Sequence, residues 1–270
     1  MLKKMLKKNR AFTLIEMIMA IVLVGVISVV SIEVIGGSID EARFEDTLQE
    51  MKQIRDSIIG NLELREGDTR TSFGFLGDIG AIPTAGQTLT ILTTNAGLAA
   101  WAVNTTARFG LGWNGPYLSG GSSGTDYTTD AWGTAYVYSP AANPATIVSR
   151  GSDGAVGGTS YAQDITVTIP NELRTATVTG YISLDGRPWT ALAEVELNYA
   201  SGTGTLTQTI DSITVPEAGR FSFANVPFGV RSITVYNPTK AGATAANTLG
   251  PSIIVVDKPN YFVAPTLTDF

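Results

Sequence analysis

Apolar and charged positions divide this chain into three stretches with different periods. Residues 17–32 carry no charge at all, only Ile, Val, Leu, Met and Ala with Gly25, Ser28 and Ser31. Taken as residues 12–35 the run is 24 residues long, roughly 36 Å as a helix, and the hydrocarbon core it would cross is ~30 Å. Ahead of it, Lys3, Lys4, Lys7, Lys8 and Arg10 stand without an acid. Such a flank stays cytoplasmic, so the bulk of the chain is expected on the other side of the membrane. Glu16 breaks the apolar run near its start, where a carboxylate is costly unless paired.

Beyond the run the period stays helical while one face turns polar. Ile35, Ile39, Ala42, Leu48, Met51, Ile54 and Ile58 keep to one side, and Asp40, Glu41, Arg43, Glu45, Asp46, Glu50, Lys52 and Arg55 fill most of the rest. No proline interrupts, which predicts one helix over residues 12–59 of about 70 Å. Gly36 and Gly37 are its weak point and Gly60 its C-cap.

Residues 61–125 are rich in turns. The segment 74–80 reads as a turn-dense crossing over the helix, 89–92 as a short strand or helical turn, and 97–103 as a short helix. Period two then appears at 135–139 and 146–149, two strands followed by a glycine-rich loop with Asp153 and Asp164 at its ends. Pro170 to Arg174 reads as a linker. From Thr175 short alternating segments recur at 175–184, 193–199, 206–215, 220–223, 232–236 and 252–256, with a turn at Asp185-Gly186. About seven strands in that span predict a β-sandwich.

Composition narrows the chemistry. The 270 residues include no cysteine and no histidine, which removes disulfides, Ser-His-Asp and Cys-His catalysis and His-ligated zinc. Net charge is −6, and taking away residues 1–11 removes five of 18 basic residues and no acid, leaving 13 against 24. An acidic exterior argues against nucleic acid as a partner. An enzyme would need carboxylate pairs such as Glu194 with Glu196 or Asp211 with Glu217. The first pair alternates with Val195 and Leu197, as a wet strand face does. Trp101, Trp113, Trp132 and Trp189 read as packing anchors. No catalytic site is assigned.

A signal peptide would place its small residue after the apolar core, whereas Ala11 precedes it. The string Ala11-Phe12-Thr13-Leu14-Ile15-Glu16 resembles the processing signal of type IV pilins and type II secretion pseudopilins. The resemblance implies cleavage between Ala11 and Phe12 by a prepilin peptidase, N-methylation of Phe12, and retention of the helix. It also implies Glu16 as an assembly residue, through the Phe12 amine of a neighbouring subunit. The implied location is the bacterial inner membrane, single-pass, with the head periplasmic or extracellular in a filament. The implied partners are copies of the chain, other pilins or pseudopilins, the peptidase and an inner-membrane assembly platform. That family usually has Gly where this chain has Ala11, and many members have a proline where Glu33 stands.

Gly115-Pro116-Tyr117-Leu118 and Asp130-Ala131-Trp132-Gly133 resemble, in order and spacing, the head of the major pseudopilin of type II secretion. Ala131 replaces a proline of that pattern. The family's final loop binds calcium, and the matching positions are Ser149, Gly151, Asp153, Gly154, Gly157, Gly158 and Asp164. Calcium takes six to eight oxygens. Asp153, Asp164, Ser149 and a carbonyl at Gly158 are the ligands the resemblance implies. Without it, the same residues read as a glycine-rich turn with two solvated aspartates.

The segments 178–182, 219–223 and 226–229 resemble the carboxypeptidase regulatory-like, transthyretin-like domain, a spacer or interaction module. The expected fold is therefore α+β: a long N-terminal transmembrane and amphipathic helix with a small β-sheet head, followed by an all-β sandwich. The expected organisation is a leader at 1–11, a filament-core helix at 12–35, a pilin-like helix and head at 36–171, and the β-domain at 172–270. The function expected is a filament subunit. Its alternative is a minor pilin that binds a surface or cargo through the β-domain.

Overall fold

The computed structural model describes residues 13–118, 127–184, 187–213, 219–263 and 266–267. The leader, the Ala11–Phe12 junction and the Asp185-Gly186 turn lie outside these residues. Helix α1, Leu14–Ile59, runs 46 residues without a break through the glycine pair and ends at Gly60. That is about 69 Å of helix. Gly60 is required there by space and backbone alike: its φ is +84°, and a Cβ would stand 2.2 Å from the Ser72 carbonyl oxygen.

Burial starts late along α1. Ile39 is 47% exposed and Ala42 is exposed, so the predicted stripe is still uncovered at these two positions. Full burial begins near Thr47 and continues through Met51, Ile54 and Ile58, all fully buried. Helix α2, Gly74–Ile79, packs Phe75, Leu76 and Ile79 against this stripe. Residues 74–80 are thus a helix rather than a crossing of turns. Residues 89–92 form a 3-10 turn. The helix expected at 97–103 is absent; Ala102–Val103 pairs with Gly110–Leu111 instead. Asn104 decides this, because its side-chain oxygen accepts from the Thr106 and Ala107 amides and closes a hairpin turn.

The head sheet has three antiparallel strands, β1 (Val137–Ser139), β2 (Ala145–Ser149) and β3 (Ile165–Ile169). The third strand was not expected, although its sequence alternates buried Ile165, Val167 and Ile169 with exposed threonines. One 3-10 turn, Asn171–Leu173, then leads into the β-rich part. There β4 (Thr175–Tyr181), β5 (Ala193–Ala200), β6 (Leu206–Ile213), β7 (Arg220–Pro227), β8 (Gly229–Tyr236), β9 (Thr248–Val256) and β10 (Asn260–Val263) follow. One sheet has the order β6-β5-β8-β9 and the other β7-β4-β10, with β10 parallel to β4. A long helix with a small sheet and a double-sheet β-part is the α+β arrangement expected.

Two features were not anticipated. First, the core is continuous: one cluster of buried apolar residues runs from Met51 and Ile58 through Ile147 and Ile169 to Val195, Ile233 and Val256. Second, the outer face of β5 is not wet. Glu196 is 1% exposed; its carboxylate accepts from Gln208 and Tyr236 and pairs with Lys240 from the segment after β8. Glu194 accepts from the Lys240 amide. Period two correctly gave the strand but not its second cover.

Candidate assembly site and its anchorage

Ahead of the buried stripe, α1 projects as an uncovered apolar shaft. Eleven large apolar side chains between Leu14 and Ile27 are 48% to 81% exposed. Returning them to an apolar environment is worth on the order of 10 kcal/mol or more in total, at ~1–2 kcal/mol for each. Ser28 satisfies its hydroxyl within the helix by donating to the Val24 carbonyl at 2.7 Å, so the shaft carries no unpaired polar group there. Among the described residues no helix is long and apolar enough to cross a membrane. Side chains in the apolar half are described only for 14–28.

Glu16 has a partner inside its own subunit. Its carboxylate accepts from the Thr13 amide at 2.9 Å and the Thr13 hydroxyl at 3.0 Å, while that hydroxyl accepts from the Glu16 amide. This is a reciprocal capping box at the start of α1. The predicted processing residues Ala11 and Phe12 are not described.

The head grips the helix through the Asp130–Tyr136 segment. The Ala131 amide donates to Thr47 Oγ1 at 3.1 Å, the Trp132 indole to Asp40 at 3.1 Å, and Tyr136 to Glu50 at 3.0 Å. Burial and the Glu50 carboxylate push the Tyr136 phenol well above its ordinary range, so it stays a donor. Asp130, 4% exposed, organises the segment: one carboxylate oxygen accepts from the Trp132 and Thr134 amides and the other from Ser149 at 2.6 Å. In the sequence Asp130 stands only as part of a motif, with no role attached. Its signal was an aspartate two residues before a Trp-Gly turn, where a side-chain oxygen caps backbone amides.

The predicted calcium residues are held by other partners. Ser149 is fully buried and bonded to Asp130, and it accepts from the Gly151 amide. Asp153 accepts from the Ala155 amide at 2.9 Å. Asp164 gives one oxygen to Arg150 at 2.6 Å and the other to the Gly157 amide at 3.1 Å. Gly158 lies where a Cβ would stand 2.3 Å from the Ala162 carbonyl oxygen. Among the described residues no three His, Cys, Asp or Glu side chains gather closely enough to hold a metal ion. As arranged, these donors fall short of a calcium shell, which needs six to eight oxygens.

The carboxylate pairs considered for an enzyme have structural partners too. Glu194 and Glu196 belong to the Lys240 network, and Asp211 accepts from the Ser222 amide at 2.8 Å. Glu217 lies outside the described residues. Trp101 is no packing anchor: it is 43% exposed and lines a groove of about 530 Å³ with Asp78, Arg108, Asn114, Tyr117 and Val230. The groove lies where the head meets β8.

That meeting is built on two buried arginines. Arg231 is fully buried and donates to the carbonyls of Gly77, Pro227, Phe228 and Val230. Burial pulls its pKa down to about 9, so it remains charged at neutral pH. Arg70 lies between the rings of Phe73 and Phe228, caps the Ile59 carbonyl at the end of α1, and gives its amide to Asp257.

Two family models match this chain. Residues 6–32 match the prokaryotic N-terminal methylation motif, and residues 75–168 match type II secretion system protein G. Over those two segments the chain is similar to type IV pilins and type II secretion pseudopilins. No curated protein matches it. Among solved structures, a crystal structure of the major pilin subunit of Bacillus cereus aligns at 17% identity, with a TM-score of 0.27. The alignment covers 50% of this chain and 38% of that one. So slight an overlap carries no argument about the fold. In this pilin-like protein, the matched head segment contains both the helix-gripping Asp130–Tyr136 segment and the glycine-rich loop.

Proposed function

We propose that this protein is a structural subunit of a type IV pilus-like or type II secretion pseudopilus filament. It is cut between Ala11 and Phe12 by a prepilin peptidase, methylated at Phe12, and held in the inner membrane by α1 until assembly. The observation that carries the reading is the apolar shaft ahead of residue 28, which none of the described residues covers. Copies of the shaft packed together would cover it, with the head and β-part displayed outside. Within that bundle every contact along residues 17–27 is apolar and tolerates axial slippage. Glu16 pairing with the Phe12 amine of a neighbour fixes the register, and breaking such a buried pair costs about 3–5 kcal/mol.

The capping box gives Glu16 a second, local role, so the test must separate the two. Glu16→Gln keeps an oxygen for the Thr13 amide and removes the charge. Processing and membrane insertion stay intact in that variant, and filaments fail to form or lose the subunit. Thr13→Ala breaks the box, keeps the charge and still assembles. Normal filament yield from Glu16→Gln would leave the ion pair without a role.

A second reading is that of a minor pilin that binds a surface or cargo. The groove beside Trp101 is what favours it, being of the volume typical of small-ligand sites. Stoichiometry along purified filaments separates the two: many evenly spaced copies support the first, and sparse or tip-restricted copies the second.

A further inference from the structure

Residues 149–165 carry three charged side chains, Arg150, Asp153 and Asp164. We propose that the Arg150 guanidinium is the resident cation of this loop. It stands where the sequence resemblance assigns calcium, so the head closes without metal.

The geometry supplies the argument. Asp164 has both oxygens engaged, one by Arg150 and one by the Gly157 amide, while its own amide donates to the Gly157 carbonyl at 3.0 Å. That arrangement ties the two ends of the glycine-rich segment across the loop. A calcium ion entering here would have to strip Arg150 from Asp164. It would leave a guanidinium, three-quarters buried, without its carboxylate. Nothing in the segment compensates: between Gly158 and Asp164 stand Thr159, Ser160, Tyr161, Ala162 and Gln163, none of them acidic. Asp153 points to the Ala155 amide, and the Ser149 hydroxyl is committed to Asp130.

The glycines have a reason to be present without a metal. A Cβ at Gly151 would stand 2.6 Å from the Tyr161 carbonyl oxygen, as one at Gly158 would crowd Ala162. Two backbone strands cross there too closely for any side chain. The ion pair also has a structural consequence. It holds the turn that carries Tyr161, whose ring meets Phe44 of α1 edge-on with centroids 6.3 Å apart. Arg150 thus fastens the loop to the helix, the task otherwise given to a bound ion.

The test uses the full chain in a zwitterionic detergent, followed by circular dichroism on heating. The wild type melts at the same temperature in ~1 mM calcium and in chelator, because a ligand that does not bind the folded state cannot raise its stability. Arg150→Gln and Asp164→Asn each lower the midpoint by a few degrees, about 2–4 °C for each kcal/mol in a chain this size. The double variant is no worse than either single one, as expected when one interaction is removed twice. The swap Arg150→Asp with Asp164→Arg recovers most of the loss. A wild-type midpoint that rises by several degrees with calcium would overturn the proposal, and that measurement stands even where a variant fails to fold. Additive losses in the double variant would overturn it equally.

Discussion

The indole N–H of Trp132 donates to the carboxylate of Asp40 across 92 residues of sequence, at 3.1 Å. Of the three bonds from the Asp130–Tyr136 segment to α1 it lies nearest the shaft, with Ala131–Thr47 and Tyr136–Glu50 following down the helix. The three acceptors lie at residues 40, 47 and 50, so the Asp130–Tyr136 segment lies along about two to three turns of helix. Trp132→Phe keeps an aromatic ring, though a smaller one, and removes the donor. It should destabilise the head by about 1 kcal/mol, below the usual value for a bond to a charged acceptor because this one is only partly buried. Urea denaturation of wild type and variant measures this. An unchanged midpoint would mean that packing and the Thr47 bond hold the helix unaided.

Ser149 is predicted to matter through Asp130 rather than through a metal. Ser149→Ala leaves one buried carboxylate oxygen of Asp130 without its donor and the Gly151 amide without its acceptor. The expected cost is about 2–3 kcal/mol, because buried groups lose partners that water cannot replace. The same loss should be measured in calcium and in chelator. A loss that appears only in calcium would return Ser149 to a metal site.

Asp78 gives the protein an acid-side stability term. Burial pushes its pKa up to about 6, against the opposing effects of the Tyr117 and Asn114 hydrogen bonds and the Arg231 charge. The folded state therefore binds the Asp78 proton more tightly than the unfolded chain does. The resulting stabilisation is present below the ordinary aspartate range and is lost as pH rises through about 6. Its ceiling is about 3 kcal/mol for a shift of some two units, and partial exposure brings it lower. Asp78→Asn, which keeps an acceptor for Tyr117, should raise stability at pH 7 and remove the slope between pH 4 and 6. A variant with the wild-type pH profile would show that other groups set it.

How far the sequence spoke depends on the length of each pattern. The helix was readable over its whole length, because 46 residues of unbroken helical period outweigh two glycines. The strands β4 to β9 were readable from period two. What period two cannot show is a second layer. Glu194 and Glu196 looked like a wet face, yet the Lys240 segment folds over them, and that segment carries no apolar signal of its own. Ile39 fits the stripe by pattern and is exposed, because pattern marks a face and not where packing along it begins. Trp101 departs from the packing role its residue type suggests, because residue type predicts burial only on average. Asp130 and Arg150 were hidden for another reason. Their roles rest on contacts made by fixed loop geometry, and no periodicity reports a loop.

The expected boundary at residue 172 marks off a β-domain, and the core and both arginines cross it. Expressed alone, residues 172–270 should bury Arg231 without the Gly77 carbonyl and expose the face that meets α2. The fragment is expected to be β-rich but to unfold at a midpoint well below that of the full chain. Arg231→Met in the full chain should cost about 3 kcal/mol, since four carbonyls lose a charged donor. A fragment as stable as the whole would show that the shared core adds nothing.

The central claim is that this chain is matured and assembled as a pilin, and the mass of its mature N-terminus tests it most directly. Protein recovered from membranes and sheared filaments should begin at Phe12, one methyl group heavier than the bare sequence. An intact Met1, or a cut after residue 30 that removes the apolar helix, would contradict the claim.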